Sequence, residues 1–300
     1  MDPVLRGLLL SWELRPVFIL FLLTLAILYT IGWTRLRRKS VNSTLANRWR
    51  LTAYWVAFAI VIIALMSPID ILGAELFYFH MIQHLLLTMI AAPLVMLANP
   101  MPFIMWGLPR KPRKRFGRMI AWMISGKESL GRKILRQATK PGVCWFIMLA
   151  LLWIWHEPPM YNLALRNEFW HDIEHIAFFW SAILYWWHAI GAAPHIHPKM
   201  ARIFRVGYLF GGIPVTFILG VKIAFATGIL YTYYETRPRL PVIGLSVADD
   251  QILGGIIMWV PGSMMYFAAA LVLVARWMQE QQNLPPVPDP EWLDRGEAAK

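Results

Sequence analysis

Two pairs of histidines share one spacing in this chain: His80 and His84 in FYFHMIQHLLL, and His171 and His175 in WHDIEHIAFFW. An α-helix turns once every ~3.6 residues, so each pair stacks two imidazoles on one helix face, a turn apart. Such a pair is a bidentate grip that suits zinc, copper or another ion favouring nitrogen ligands. Both pairs lie in stretches apolar enough to enter a bilayer, where ionisable side chains are costly and point to function. His156 closes a further apolar stretch, GVCWFIMLALLWIWH. Either pair by itself reads most simply as interfacial histidines satisfied by backbone carbonyls. Two pairs and His156 at one depth favour a metal site made from His80, His84, His156, His171 and His175.

Haem fits this spacing poorly. A bis-histidine haem takes one ligand from each of two helices, so two haems would be centred about 5–6 Å apart along the axes and collide. One haem would leave two histidines idle, and the spacing favours a bare ion. Met258 is expected near the depth of His84 and His175, with Met81, Met264 and Met265 as neighbouring candidates. Thioether with imidazole suits Cu(I), although methionine in an apolar helix is more often packing. Zinc with a carboxylate base would instead be hydrolytic. Asp70, Asp249 and Asp250 are candidates for that base, and equally for helix-terminal roles. Glu174, beside His175, is a candidate to orient an imidazole. Lys222, inside an apolar stretch, either pairs with an acid of this site or snorkels.

These side chains need a membrane bundle to position them. Of 300 residues, 58% are hydrophobic and only 15% are charged, with mean hydropathy +0.49, whereas a soluble domain is closer to half apolar and a quarter charged. Seven apolar stretches of spanning character are expected, over about 17–33, 51–66, 77–97, 142–156, 170–191, 206–231 and 252–278. Pro93 is expected to kink the third. Gly211, Gly212, Pro214 and Gly220 make the sixth the one to bend or pack closely. The basic segment 110–140 sets Phe116, Met119, Ile120 and Met123 at helical spacing, as in an amphipathic helix on the inner membrane surface; a solvated basic loop is the alternative. Residues 279–300, rich in proline and charge, read as a disordered tail after one membrane domain over 1–278. The N-terminal residues have no cleavage-like small-residue pattern, so no removable leader is expected. The single cysteine, Cys144, excludes an internal disulfide and a cysteine-based metal site.

The net charge of +12 does not mark a nucleic-acid partner, because the charge lies between apolar stretches. Numbering the connecting segments alternately puts 23 of the 29 lysines and arginines in one set and 5 in the other, with Lys222 inside a stretch. The basic set faces the cytoplasm by the positive-inside rule. The N-terminus is then outside, the C-terminus is cytoplasmic, and the five histidines lie near the outer surface with Glu174, Asp249 and Asp250. His188, His195 and His197 lie on the cytoplasmic side. The fold class expected is all-α integral membrane, a bundle of seven transmembrane helices in the lipid bilayer.

Three blocks carry a family resemblance: HMIQHLLLTMIAAPLVMLANP, WIWHEPPMYNLALRN with HDIEHIAFFWSAILYWW, and DDQILGGIIMWVPGSMMYFAAALVLVARW. Together they resemble the CtaG family of cytochrome c oxidase assembly factors, the multi-spanning bacterial type associated with caa-type oxidases. The likeness covers nearly all of the chain from the first apolar stretch to the seventh. It implies a multi-pass protein of the bacterial plasma membrane, needed to make active oxidase. Its partner would be the oxidase subunits in the membrane, and it would act by supplying copper to the catalytic one. His80, His84, His156, His171, His175 and the segment from Asp250 to Trp259 match the pattern. His188 departs from it, where a proline-like residue is expected after Trp186 and Trp187. The expected role is a non-enzymatic metallochaperone. The alternatives are an intramembrane zinc hydrolase and a metal-free scaffold for the oxidase.

Overall fold

A computed structural model describes residues 7, 10–39, 45–127, 129–237 and 244–283. Among these residues the chain is all helical, with no strand. Pro16 opens α1 (Pro16–Lys39), where its missing N–H does no harm, and Arg37, Arg38 and Lys39 close it against the negative pole of the helix dipole. The Asn47 side chain caps α2 (Arg48–Met66) by accepting from the Trp49 N–H. Ser67 does the same for α3 (Pro68–Glu75) through Ile69.

The histidine stretch is interrupted as Pro93 requires. It runs as α4 (Phe77–Leu85), a π-helical turn (Leu86–Ala91) and α5 (Ala92–Ala98). Proline cannot bond back four residues, and the wide turn directly before it absorbs the mismatch one turn beyond His84. The short α6 (Pro100–Gly107) follows. The basic segment is helical: α7 (Arg110–Ser125) and α8 (Leu130–Ala138) expose Phe116, Met119, Trp122, Leu130 and Ile134.

Four helices make the next turns of the bundle: α9 (Pro141–His156), α10 (Pro158–Arg166), α11 (Glu168–Ile190) and α12 (Arg202–Phe210). The chain continues through α13 (Gly212–Ala224), a 3-10 turn (Thr232–Thr236) and the 36-residue α14 (Val247–Gln282). Among the described residues, five helical stretches are long and apolar enough to cross a membrane: Pro16–Lys39, Arg48–Met66, Phe77–Ala98, Arg202–Ala224 and Val247–Gln282. They become six if α8 and α9, bent by 60° at their junction, form one span. The expected count of seven takes α9 and α11 each as a span. α9 has 16 residues, and the 23 of α11 include Glu168, Asp172 and Glu174.

The sixth stretch differs from expectation. Its helix breaks at Gly211 and ends at Ala224, not Tyr231. Beyond it the backbone is held by the buried Gln251, whose Oε1 accepts from the Leu230 N–H (2.7 Å) and whose Nε2 donates to the Gly228 carbonyl (3.1 Å). One glutamine thus supplies an acceptor and a donor to this part-buried backbone. Helical structure also reaches past 278 to Gln282; residues 284–300 of the expected tail and Pro238 and Pro241 lie outside the described residues.

α13 and α14 pack through glycines. A Cβ on Gly255 would lie 2.7 Å from the Ala224 nitrogen, and one on Gly220 would lie 2.7 Å from the Trp259 Cβ. Only the absence of side chains allows this approach. Gly255→Leu is expected to push the helices apart and lower stability by about 1–3 kcal/mol or more. Thermal unfolding in detergent would show it as a clear fall in Tm, and an unchanged midpoint would refute this packing.

Candidate metal centre

α4, α9 and α11 deliver five imidazoles to one buried place. The His80 and His84 ring centroids are 4.2 Å apart on α4, and those of His171 and His175 are 4.3 Å apart on α11. Across the helices, His80 lies 5.3 Å from His171 and 5.9 Å from His175. His84 lies 5.4 Å from His175 and 5.9 Å from His156, the last residue of α9. His80, His84, His156, His175 and Glu174 are buried; His171 is half-buried.

Few of their polar atoms have partners. Both ring nitrogens of His80 and His84, the Nε2 atoms of His156, His171 and His175, and both oxygens of Glu174 are buried without a hydrogen bond. These are nine of the sixteen such atoms among the described residues. Each unmade bond costs about 1–3 kcal/mol, so nine in one cluster mark it as a candidate ligand site. Glu174 sits among them with Oε2 3.7 Å from His80 Nε2 and Oε1 3.8 Å from His84 Nε2, beyond hydrogen-bonding range.

His156 keeps one ring nitrogen free of protein partners. Its Nδ1 lies 2.7 Å from the Leu152 carbonyl, which can only accept. Nδ1 therefore carries the proton, and the Nε2 lone pair is left for an ion. The loop behind it is also tied down: the Tyr231 hydroxyl donates to the His156 carbonyl at 2.9 Å, and the Tyr234 hydroxyl donates to the Gly73 carbonyl at 2.9 Å.

Among the described residues, three combinations hold their ligand atoms within 4.8 Å of one another: His80, His84 and His175; Asp70, His171 and His175; and His80, His171 and Glu174. An ion with ~2 Å bonds holds tetrahedral ligands ~3.3 Å apart, so closing by up to about 1.5 Å completes such a shell. The donors fit an ion that prefers imidazole, and adjacent carboxylates offset its charge.

Asp70 joins the site from outside the long helices. Gln83, the neighbour of His84, donates from Nε2 to Asp70 Oδ1 at 2.5 Å and to the Ala64 carbonyl at 2.9 Å. Burial raises the Asp70 carboxyl to about 6, against the opposing pull of Gln83 and Arg15. The Arg15 guanidinium bonds Asp172 at 2.5 Å and lies 3.7 Å from Asp70. A cavity of about 520 Å³ leads here, with Phe18, Leu22, Val61, Leu87 and Phe179 in its apolar wall and Arg15, Asp172 and His175 also lining it.

The other candidates have different partners. Asp250 is fully buried and accepts from the Phe77 and Tyr78 N–H groups, each at 2.9 Å. It caps the histidine helix from α14. Asp249 is exposed and bonds Ser246, which caps its own helix. Lys222 bonds Glu157, the residue after His156, at 2.6 Å where both are exposed. Met258 and Met81 are buried in the apolar cluster of Phe77, Leu152, Tyr161 and Phe178. Phe178 packs at a tilt against His84 and His156, with centroids 4.6 and 5.8 Å away. Gln83 and Arg15 went unmarked in the sequence. A lone glutamine beside a histidine within an apolar stretch was a readable signal; the arginine, 55 residues before Asp70, carried none.

No solved structure matches the chain. Two curated relatives, uncharacterized proteins of Mycobacterium bovis and of Mycobacterium tuberculosis, are each 23% identical over 290 residues, which is 94% of this chain and 42% of theirs. The chain thus spans less than half the length of the curated relatives it matches. The profile of the cytochrome c oxidase caa3 assembly factor family matches residues 27–280. That match runs from α1 through the helices that bear the five histidines to the last residues of α14, and the chain belongs to that family.

Proposed function

We propose that this protein is a seven-span assembly factor of the bacterial plasma membrane, with its N-terminus outside and its C-terminus in the cytoplasm. It takes a copper ion onto the outward-facing histidine cluster and passes it to the catalytic subunit of a cytochrome c oxidase. The observation that carries this reading is the gathering of unpartnered imidazole nitrogens from three helices in one buried place. Neutral imidazoles bind copper in either common oxidation state, and Glu174 offsets its charge. The overlap of the ligand sets at His175 and His80 supports exchange by ligand substitution, as transfer of a cargo needs. On this reading Met81 and Met258, both in the apolar cluster with Phe178, contribute softer ligands during that exchange.

The test is complementation of cells that lack the chain. His84→Ala/His175→Ala is expected to accumulate in the membrane and still leave the oxidase short of copper and inactive. Full restoration of oxidase copper by this variant would overturn the reading.

A second reading is an intramembrane zinc hydrolase, favoured by the Glu174 carboxylate beside the His80 and His84 nitrogens. It requires an open coordination position and a base within reach of metal-bound water. Zinc rather than copper in the purified protein, together with loss of hydrolysis in Glu174→Gln, would select it.

A further inference from the structure

A second set of cations lies on the basic segment, away from the histidine cluster. Lys133, Arg136, Gln137 and Lys140 recur at intervals of three and four residues on and just after α8, which puts them on one face. With Arg132 and His197 they line a cavity of about 400 Å³. His197 reaches it from the loop after α11, its Nε2 3.0 Å from the Thr139 hydroxyl. Arg132 is buried and committed to the backbone: Nη2 donates to the Ile124 carbonyl (2.9 Å) and Nε to the Met123 carbonyl (3.3 Å), closing the end of α7.

A narrower cleft shares His197 and adds His188, His195, Lys199 and Arg205. The Arg205 Nε is buried without a partner. None of the residues lining either cleft is acidic. Burial, with Arg136 and Lys140 beside it, holds the His197 ring below the ordinary imidazole range, as a positive potential would. The helices that carry the cations also expose apolar side chains, Trp122 and Met119 on α7 and Leu130 and Ile134 on α8. Cations beside exposed apolar side chains match the two halves of an anionic lipid at a membrane surface.

We propose that the cavity between α8 and the His197 loop binds a phosphate-bearing anion, with an anionic phospholipid headgroup as its source. The phosphate takes hydrogen bonds and charge from Arg136 and Lys140, with His197 in the cavity wall beside them, and the acyl chains lie along the apolar faces of α7 and α8. Such a lipid would fix the two amphipathic helices against the bundle. The inference is independent of the copper reading, because it uses none of the same residues.

Native mass spectrometry of the delipidated full-length chain, released from an uncharged detergent, tests this. Phosphatidylglycerol, phosphatidylcholine and inorganic phosphate serve as probes. Phosphatidylglycerol is expected to bind at least about tenfold more tightly than phosphatidylcholine. Each cation near a membrane surface is worth about fivefold, so Arg136→Gln/Lys140→Gln should weaken that binding about 25-fold. The charge-preserving Arg136→Lys/Lys140→Arg should retain most of it, with thermal unfolding unchanged in both variants. Lipid binding that resists millimolar inorganic phosphate supports the lipid as the source. Phosphate that binds at the same two cations and displaces the lipid overturns the lipid and leaves a soluble anion. Equal binding of the two lipids, or undiminished phosphatidylglycerol binding by the neutralised variant, overturns the site.

Discussion

Purified His84→Ala/His175→Ala protein is expected to hold no copper under conditions where the unaltered chain retains it. The two residues supply two of the three nitrogens in the most deeply buried ligand set. Changing even an outer-shell partner of a metal ligand weakens affinity about 10–100-fold, so losing two ligands should weaken it more than ~100-fold. Stability gives a second readout. An ion present at about a hundred times its Kd stabilises the folded chain by about 2.7 kcal/mol. Copper should therefore raise the Tm of the unaltered chain and leave that of the double variant in place. Without metal, two effects oppose in the variant. It loses packing, about 2–4 kcal/mol for a large buried side chain, but it also loses unpartnered nitrogens that cost about 1–3 kcal/mol each. The metal-free Tm should thus move far less than two core truncations ordinarily would. A large fall without metal, and a copper-induced rise equal to that of the unaltered chain, would show that these rings serve packing.

The second large effect is expected at Asp250. Its carboxylate receives the first two N–H groups of the histidine helix, and no side chain of that helix's own cap replaces it. Hydrogen bonds to a charged group contribute about 1.5–3 kcal/mol each, and both donors would be stranded by Asp250→Ala. A loss of about 3–5 kcal/mol follows, read as a fall in the unfolding midpoint in detergent. Copper affinity should fall with it by about tenfold, because the first turn of α4 places His80. Asp249→Ala is the internal control: Asp249 is exposed and bonds only its own capping serine, so a loss under about 1 kcal/mol is expected. Equal losses at the two aspartates would refute the cross-helix cap.

This pair of neighbours marks the boundary of what the sequence made legible. Asp249 and Asp250 are chemically identical at the start of one helix, and only the approach of α4 makes one of them a buried acceptor. The histidines were legible because their information is local: a spacing of four makes a pair on any helix, and the apolar surroundings make that pair costly. The helices around them followed from hydropathy in the same way. The end of the sixth stretch was not legible, because apolar character continues past Ala224 while a glutamine from α14 captures the backbone beyond it. Lys222 was similarly ambiguous, since its partner, Glu157, comes from another part of the chain. Asp70 was visible only as a generic base, and its place beside His171 and His175 depends on a bond from Gln83. Each miss turns on a contact distant in sequence, whereas the paired spacing of the histidines turns on a period within one helix.

The most direct measurement is X-ray absorption at the copper edge on the purified, copper-loaded chain, compared with the His84→Ala/His175→Ala variant. Three or more imidazole nitrogens at about 2 Å, absent from the variant, are the predicted result. Copper without imidazole in its shell, or the same imidazole shell in both proteins, would contradict an ion held jointly by α4 and α11.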